Sequence, residues 1–330
     1  MSRTGSTIRH PAWPIAISAL LCLVLYRSID LSQLRGFVLR IDWTRLPELV
    51  LCLAAIVATT SVRWRLLVGC RLGWRQALST TAIGLAGNQM LPARGGDLLR
   101  AFLTSRRASV SYHLTLSALL VEKIIDLAAV AIIGLVALGF LVHIHGMNAL
   151  RSAAIATAAT AAAASLSALA LARTSRLPRI LRGLARFLRL RPKGYRHVFR
   201  FFLHLRRGTD HRALPGPFLL TLFVWIVPCC LFFIVAAECV GVALALPEAQ
   251  LLVFAAALGL ALPAAPSGVG TLHAAIVSGF VLLGRSAAEG LLVAVAVHIV
   301  SAAGFLCGGV LAFVFDARAL YLVRRSEAIR

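Results

Sequence analysis

From Leu127 to Val142 the chain runs sixteen residues without a charged side chain, and apolar runs of similar length recur along it. A helix rises about 1.5 Å per residue and a bilayer's hydrocarbon is about 30 Å thick, so roughly 20 apolar residues make a candidate span. Such runs fall at about 12–28, 47–70, 76–92, 112–142, 148–172, 215–238, 248–263 and 270–315, the last broken near Gly284 to Glu289. Composition agrees: 60% of residues are hydrophobic and 14% charged, with a mean hydropathy of +0.88, against roughly 25% charged for a soluble domain. The expectation is an all-α fold, a polytopic integral membrane helical bundle of about six to eight transmembrane helices. It forms one domain over residues 1–330, with a helical half at 12–172, a basic loop at 173–212 and a second half at 213–330. No stretch is left over for a separate soluble domain.

A net charge of +22 would suggest nucleic acid for a soluble protein. Here the positive residues lie mostly between apolar runs, so the expected counter-charge is anionic lipid and no nucleic-acid partner is implied. The seven cysteines show no CxxC or metal-ligand spacing, and most sit in apolar runs; neither disulfides, a metal nor a cofactor is expected. Arg3 and Arg9 precede an apolar run from Ile15 to Tyr26 with no small-x-small cleavage site after it, which predicts an uncleaved first span.

Arg173 to Arg212 holds thirteen basic residues and one acid, Asp210. The positive-inside rule puts this loop in the cytoplasm with the basic N- and C-termini, so the number of full crossings is even. Within it Arg176, Arg179, Arg182, Arg186 and Arg189 share one face of a predicted amphipathic helix at the membrane surface. The segments 76–107 and 248–284 each contain a short apolar run and a break beginning Leu-Pro-Ala, LPARGG at Leu91 and LPAAPSGVG at Leu262. Charge bookkeeping favours two re-entrant hairpins entering from opposite faces, related as a weak pseudo-repeat.

The first break is the most demanding feature. Pro92, Gly95 and Gly96 interrupt a hydrophobic segment, and Arg94, Asp97 and Arg100 charge it. Non-helical backbone at membrane depth survives only where it is buried in protein or lines a watery cavity. The breaks Pro92, Gly95, Gly96, Pro263, Pro266, Gly268 and Gly270 are therefore candidate cavity-lining residues. Asn88, Arg94 and Arg100 are candidate ligands for a lipid headgroup, since a guanidinium fork suits phosphate. Glu122 and Asp126, four apart on one helical face, repel unless cations lie close by. Two readings stay open: the arginines pair with Asp97, Glu122 or Asp126, or they hold a lipid phosphate. Asp97, Glu122, Lys123, Asp126, His273 and His298 form the candidate supporting network. No nucleophile elbow, P-loop or HExxH is present, so no catalytic residue is assigned.

In these motifs the chain resembles the lysylphosphatidylglycerol synthase transmembrane region family, the flippase-like membrane domain also found as the membrane half of the multiple peptide resistance factor. The likeness lies in Trp64-Arg65, in NxxLPARxG(D/E)xxR from Asn88 to Arg100, in V-E-(R/K)-x-x-D from Val121 to Asp126 and in LPAAPxxxGT from Leu262 to Thr271, and it extends through His298. Asp97, Lys123, Ser267 and His273 depart from the residues common in the family at those positions. The resemblance implies a multi-pass protein of a bacterial inner membrane that binds and flips an anionic, hopanoid or glycosylated lipid. Alternatives are a membrane enzyme or enzyme subunit of lipid modification, and a scaffold recruiting cytosolic partners. With no aminoacyl-transferase domain after residue 330, lysylphosphatidylglycerol synthesis is not expected. Implied partners are anionic phospholipid or glycolipid, a second copy of the chain, or a lipid-biosynthesis protein.

Overall fold

The computed structural model describes residues 42–141, 148–174, 200–206, 209, 212–262 and 266–328. The expected first span at 12–28, the amphipathic helix at 176–189 and Pro263 lie outside the described residues. Among the described residues there are ten α-helices and no strand. They are α1 (Leu46–Leu67), α2 (Trp74–Met90), α3 (Gly95–Arg107), α4 (Tyr112–Phe140), α5 (Asn148–Arg173), α6 (Pro215–Ile226), α7 (Pro228–Cys239), α8 (Leu246–Ala261), α9 (Thr271–Leu282) and α10 (Ala287–Ala328). Among the described residues four stretches are long and apolar enough to cross a membrane: Trp43–Leu67, Ser152–Ala172, Pro215–Cys239 and Ala287–Asp316. The helix α4, at 29 residues, reaches about 43 Å.

The helices α6 and α7 are one crossing kinked at Pro228, whose ring nitrogen cannot donate to the carbonyl of Val224. The helices α2 and α3 pack against each other as a hairpin, as do α8 and α9. None of these four exceeds 17 residues, so each reaches at most about 25 Å, short of the roughly 30 Å of hydrocarbon. Chain direction places the hairpins at opposite ends of the bundle. Arg107 at the end of α3 and Ser79 near the start of α2 both meet Asp316, far along α10. At the other end Arg285, before α10, pairs with Glu248 at the start of α8. The two tips meet between these ends, where the 3-10 turns Pro92–Arg94 and Pro266–Gly268 contact each other.

Two apolar clusters support the ends. One gathers Leu49, Leu53, Phe232, Phe233, Leu252 and Phe280; the other gathers Trp64, Val68, Leu72, Ala77, Ala101 and Leu119. Lipid tails are as apolar as leucine, so association inside a bilayer depends on close van der Waals fit and polar contacts. Glycine supplies that fit. A Cβ on Gly96 would lie 2.0 Å from the Gly84 carbonyl oxygen and 2.3 Å from the Asn88 nitrogen, both backbone atoms. A Cβ on neighbouring Gly95 would meet only the Leu91 side chain, at 2.9 Å.

Gly96→Ala should therefore part α2 from α3 and lower stability by at least ~3 kcal/mol, seen as a large fall in detergent melting temperature. Gly95→Ala should shift it less, because its Cβ would press on one carbon, Leu91 Cβ at 2.9 Å, and not on two backbone atoms. Equal effects of the two substitutions would contradict this packing.

Candidate functional site

The helix α3 is amphipathic the wrong way round for a soluble protein. Leu98 and Phe102 are exposed, whereas Asp97, Arg100 and Thr104, spaced three and four apart on one face, are buried. That face meets α4, which brings Glu122, Lys123 and Asp126, and α1, which brings Arg63 and Trp64. Glu122 is 2% exposed and both its oxygens are engaged: Oε1 accepts from Arg63 Nη2 at 2.7 Å and Oε2 from Arg100 Nη2 at 2.6 Å. Arg63 also donates from Nη1 to Asp126 Oδ1 at 2.5 Å and to Thr221 Oγ1 at 3.0 Å. Trp225 Nε1 donates to the same Asp126 oxygen at 3.1 Å. The Arg100 guanidinium lies 4.2 Å from the Trp64 ring centroid, and that ring is fixed by its own Nε1 donating to Thr104 Oγ1 at 2.9 Å. The repulsion inherent in the Glu122–Asp126 spacing is thus relieved by one arginine bridging both acids.

Asp97 anchors a second, more open group. Asn88 clasps it twice: Nδ2 donates to Asp97 Oδ1 at 3.0 Å, and the Asp97 backbone N–H donates to Asn88 Oδ1 at 3.1 Å. The second bond satisfies one of the free N–H groups of the first turn of α3. The other Asp97 oxygen takes Lys123 Nζ at 2.8 Å and Arg94 Nε at 3.4 Å. The side chains of Lys123 and Arg94 are 36% and 47% exposed, against 3–4% for Arg100 and Arg63. Arg94 sits at φ 55°, in the left-handed region, which costs a non-glycine residue about 1–2 kcal/mol. This strain points its side chain back toward Asp97 instead of along a continuing helix.

These seven charged residues line one cavity of about 210 Å³, whose remaining wall is largely apolar, with Leu53, Ile56, Phe232, Phe233 and Phe305 among its members. Four cations, Arg63, Arg94, Arg100 and Lys123, face three carboxylates, Asp97, Glu122 and Asp126, an excess of one positive charge. Nε of Arg63 and Nε of Arg100 are buried without a hydrogen-bond partner. A smaller cavity of about 130 Å³ lies between the hairpin tips and shares Leu85, Gln89, Arg94, Leu260, Ser267 and Phe305 with the first.

The sequence-derived candidates distribute as follows. Arg94, Arg100, Asp97, Glu122, Lys123 and Asp126 share the charged cavity, with Asn88 holding Asp97 and lining the tip cavity. Gly268 lines the tip cavity, while Pro92, Gly95, Gly96, Pro266 and Gly270 shape the turns without forming either wall. His298 is not alone: its ring stacks on His273. Sequence reasoning missed Arg63, Thr221, Trp225 and Gln89. An arginine inside the apolar run 47–70 was the available signal for Arg63, because an intramembrane charge defaults to a functional or paired role. No group of three or more metal-binding side chains occurs among the described residues.

A helical bundle with spans, broken hairpins and a buried ion-pair cavity defines a polytopic membrane protein. The family model for the lysylphosphatidylglycerol synthase TM region matches residues 12–309. The chain belongs to that family, and it is accordingly a membrane protein connected with lipid. Comparison with curated proteins and with solved structures finds no match.

The two halves of the site should separate on mutation. Glu122→Gln leaves two buried guanidiniums short of a counter-charge and should cost ~3–5 kcal/mol. Lys123→Met removes a half-exposed partner and should cost under ~1 kcal/mol. Melting curves in detergent measure both, and a Glu122→Gln protein as stable as wild type would remove Glu122 from its structural role.

Proposed function

We propose that the protein binds the headgroup of an anionic or glycosylated lipid, a hopanoid included, and moves it across a bacterial inner membrane. The observation that supports this is the amphipathic cavity with its excess positive charge. Its neutral inner part, Arg63, Arg100, Glu122 and Asp126, is closed on itself by short ion pairs. Its open part, Arg94 and Lys123, shares a single carboxylate and retains donors for an incoming anion. A phosphate there would be held by charge-assisted hydrogen bonds while apolar walls accept the chains. The break residues make the passage possible, since short hairpins that stop mid-bundle leave polar backbone at depth.

Orientation follows from the charges at the two ends. The end that joins α1 to α2 and α3 to α4 carries Arg71, Arg75, Arg106 and Arg107 and leads into the Arg173 to Arg212 loop. The opposite end carries Asp42, Glu48, Glu238, Glu248 and Glu289 against Arg45, Arg151 and Arg285. The basic end is cytoplasmic in this reading, so the α2–α3 hairpin enters from inside and α8–α9 from outside. In a Cys70→Ser background, an impermeant maleimide added to intact cells should label Ser286→Cys and spare Arg106→Cys until the membrane is opened. The reverse pattern would invert the assignment.

The transport test uses proteoliposomes with a headgroup-labelled phosphatidylglycerol. Arg94→Ala and Lys123→Ala should each slow movement by about tenfold or more, the size expected for losing one charge-assisted hydrogen bond. Wild-type rates no faster than those of Arg94→Ala would sink the function.

A further inference from the structure

A second polar chain lies at the hairpin tips, outside the charged cluster. Gln89 on α2 and Ser267 in the second break hydrogen-bond to each other, which ties one tip to the other. Ser267 Oγ is also 3.1 Å from Nε2 of His298 on α10. The His298 ring stacks on His273 of α9, with centroids 4.9 Å apart and planes 24° from parallel. His273 Nδ1 accepts from the Gly270 backbone N–H at 3.4 Å, so the neutral ring carries its proton on Nε2. His298 Nδ1 is buried without a hydrogen-bond partner. Ser267 holds its place in this chain at φ 62°, in the left-handed region, and lines both cavities.

A serine hydroxyl has one proton to give. When Ser267 gives it to Gln89 Oε1, His298 Nε2–H must be the donor to Ser267, and the Nδ1 lone pair is left with no donor. The chain then ends on an open basic nitrogen. Two stacked imidazoles this close cannot both be charged without strong repulsion, so the pair takes a single proton. We propose that His273 and His298 are a one-proton binding site whose occupancy parts the two hairpin tips.

The direction of the effect follows from the surroundings. The two rings hydrogen-bond to Ser267 and Gly270 and stack on each other. Among the described elements packed against α9 and α10, α2 presents uncharged Gln89, the first break presents Arg94, a cation, and the acids of α1, α7 and α8 (Glu48, Glu238 and Glu248) are paired with Arg45 and Arg285. Asp97, Glu122 and Asp126 stand across the charged cavity and are already bonded to cations. Among the described residues an imidazolium in the closed arrangement therefore has no counter-charge, whereas parted tips would admit water to it. A ligand that binds one of two states better shifts the population toward that state, so the proton favours the open one. Its coupling to lipid movement rests on the function proposed above; the proton site itself does not.

The test is hydrogen exchange of the full-length protein in nanodiscs, followed over peptides covering 85–94 and 266–273 between about pH 8 and about pH 5.5, the range histidine titrates. After correction for the intrinsic chemical rate, wild-type tip exchange should rise on acidification by no more than about tenfold per pH unit, the limit for one proton. Peptides around Glu122 should not follow. His273→Gln and His298→Gln should each flatten the profile, and His273→Gln alone decides if the other fails to fold. A flat wild-type profile, or one that persists in the folded variants, overturns the proton site. In proteoliposomes with labelled phosphatidylglycerol, acid should speed movement in wild type and not in His273→Gln. Tip exchange that depends on pH with no lipid movement supports the proton site and overturns the lipid-moving function instead. Lipid movement independent of pH with flat exchange does the opposite.

Discussion

Glu122 is the point on which the interior of this bundle turns. A carboxylate 2% exposed has left water at a cost of several kcal/mol and is tolerable only with both oxygens engaged. Arg63 comes from α1 and Arg100 from α3, so satisfying one side chain fixes three helices relative to one another. The geometry propagates outward. Arg63 reaches on to Asp126 and Thr221, which brings in α6, and Arg100 rests on Trp64, whose indole is held by Thr104. Hydrophobic attraction does not select among helix packings inside lipid, but a closed ion-pair network does, because any other arrangement strands a charge.

The same network explains the inverted amphipathicity of α3. A helix that turns Asp97, Arg100 and Thr104 inward and leaves Leu98 and Phe102 exposed suits a lipid surround and not water. It can lie this close to α2 because Gly84, Gly87 and Gly96 let the two backbones approach. The hairpin is thus held by a polar face on one side and by an absence of side chains on the other. Neither feature alone would place the open pair, Arg94 and Lys123, on the rim of the cavity.

Much of the fold was legible because its causes are local. Apolar run length marks the spans, and Pro92 with Gly95 and Gly96 marks the first break. The shared Leu-Pro-Ala openings flag the two short hairpins, and the even number of crossings that the loop charges favour agrees with hairpins starting from opposite ends of the bundle. The site was legible as a set of residues but not as a set of pairs. Helical spacing puts Glu122 and Asp126 on one face and requires cations near them, yet nothing in spacing says that the bridging cation is Arg63, 59 residues from Glu122. Arg94 was as good a candidate on sequence, and the left-handed turn at that residue is what sends it to Asp97 instead. Likewise His298 on α10 reads as a solitary histidine, because its neighbour His273 belongs to α9, in the second hairpin.

The division of the polar interior into a closed part and an open part has a mechanical consequence. Arg63, Arg100, Glu122 and Asp126 connect α1, α3 and α4 and cannot separate without exposing unpaired buried charge. The contacts between the hairpin tips are of another kind, neutral hydrogen bonds through Gln89 and Ser267 beside a cavity that already separates Leu85 and Arg94 from Leu260 and Gly268. Neutral bonds of this sort contribute about 1 kcal/mol each and are replaced by water at little cost, whereas a broken buried ion pair costs about 3–5 kcal/mol. Motion in this bundle is therefore expected at the tips, where the second hairpin can shift against the first, while the ion-pair network keeps α1, α3 and α4 as the fixed frame. A headgroup held at Arg94, as proposed above, would sit on the boundary between the two, attached to the frame and facing the part that moves.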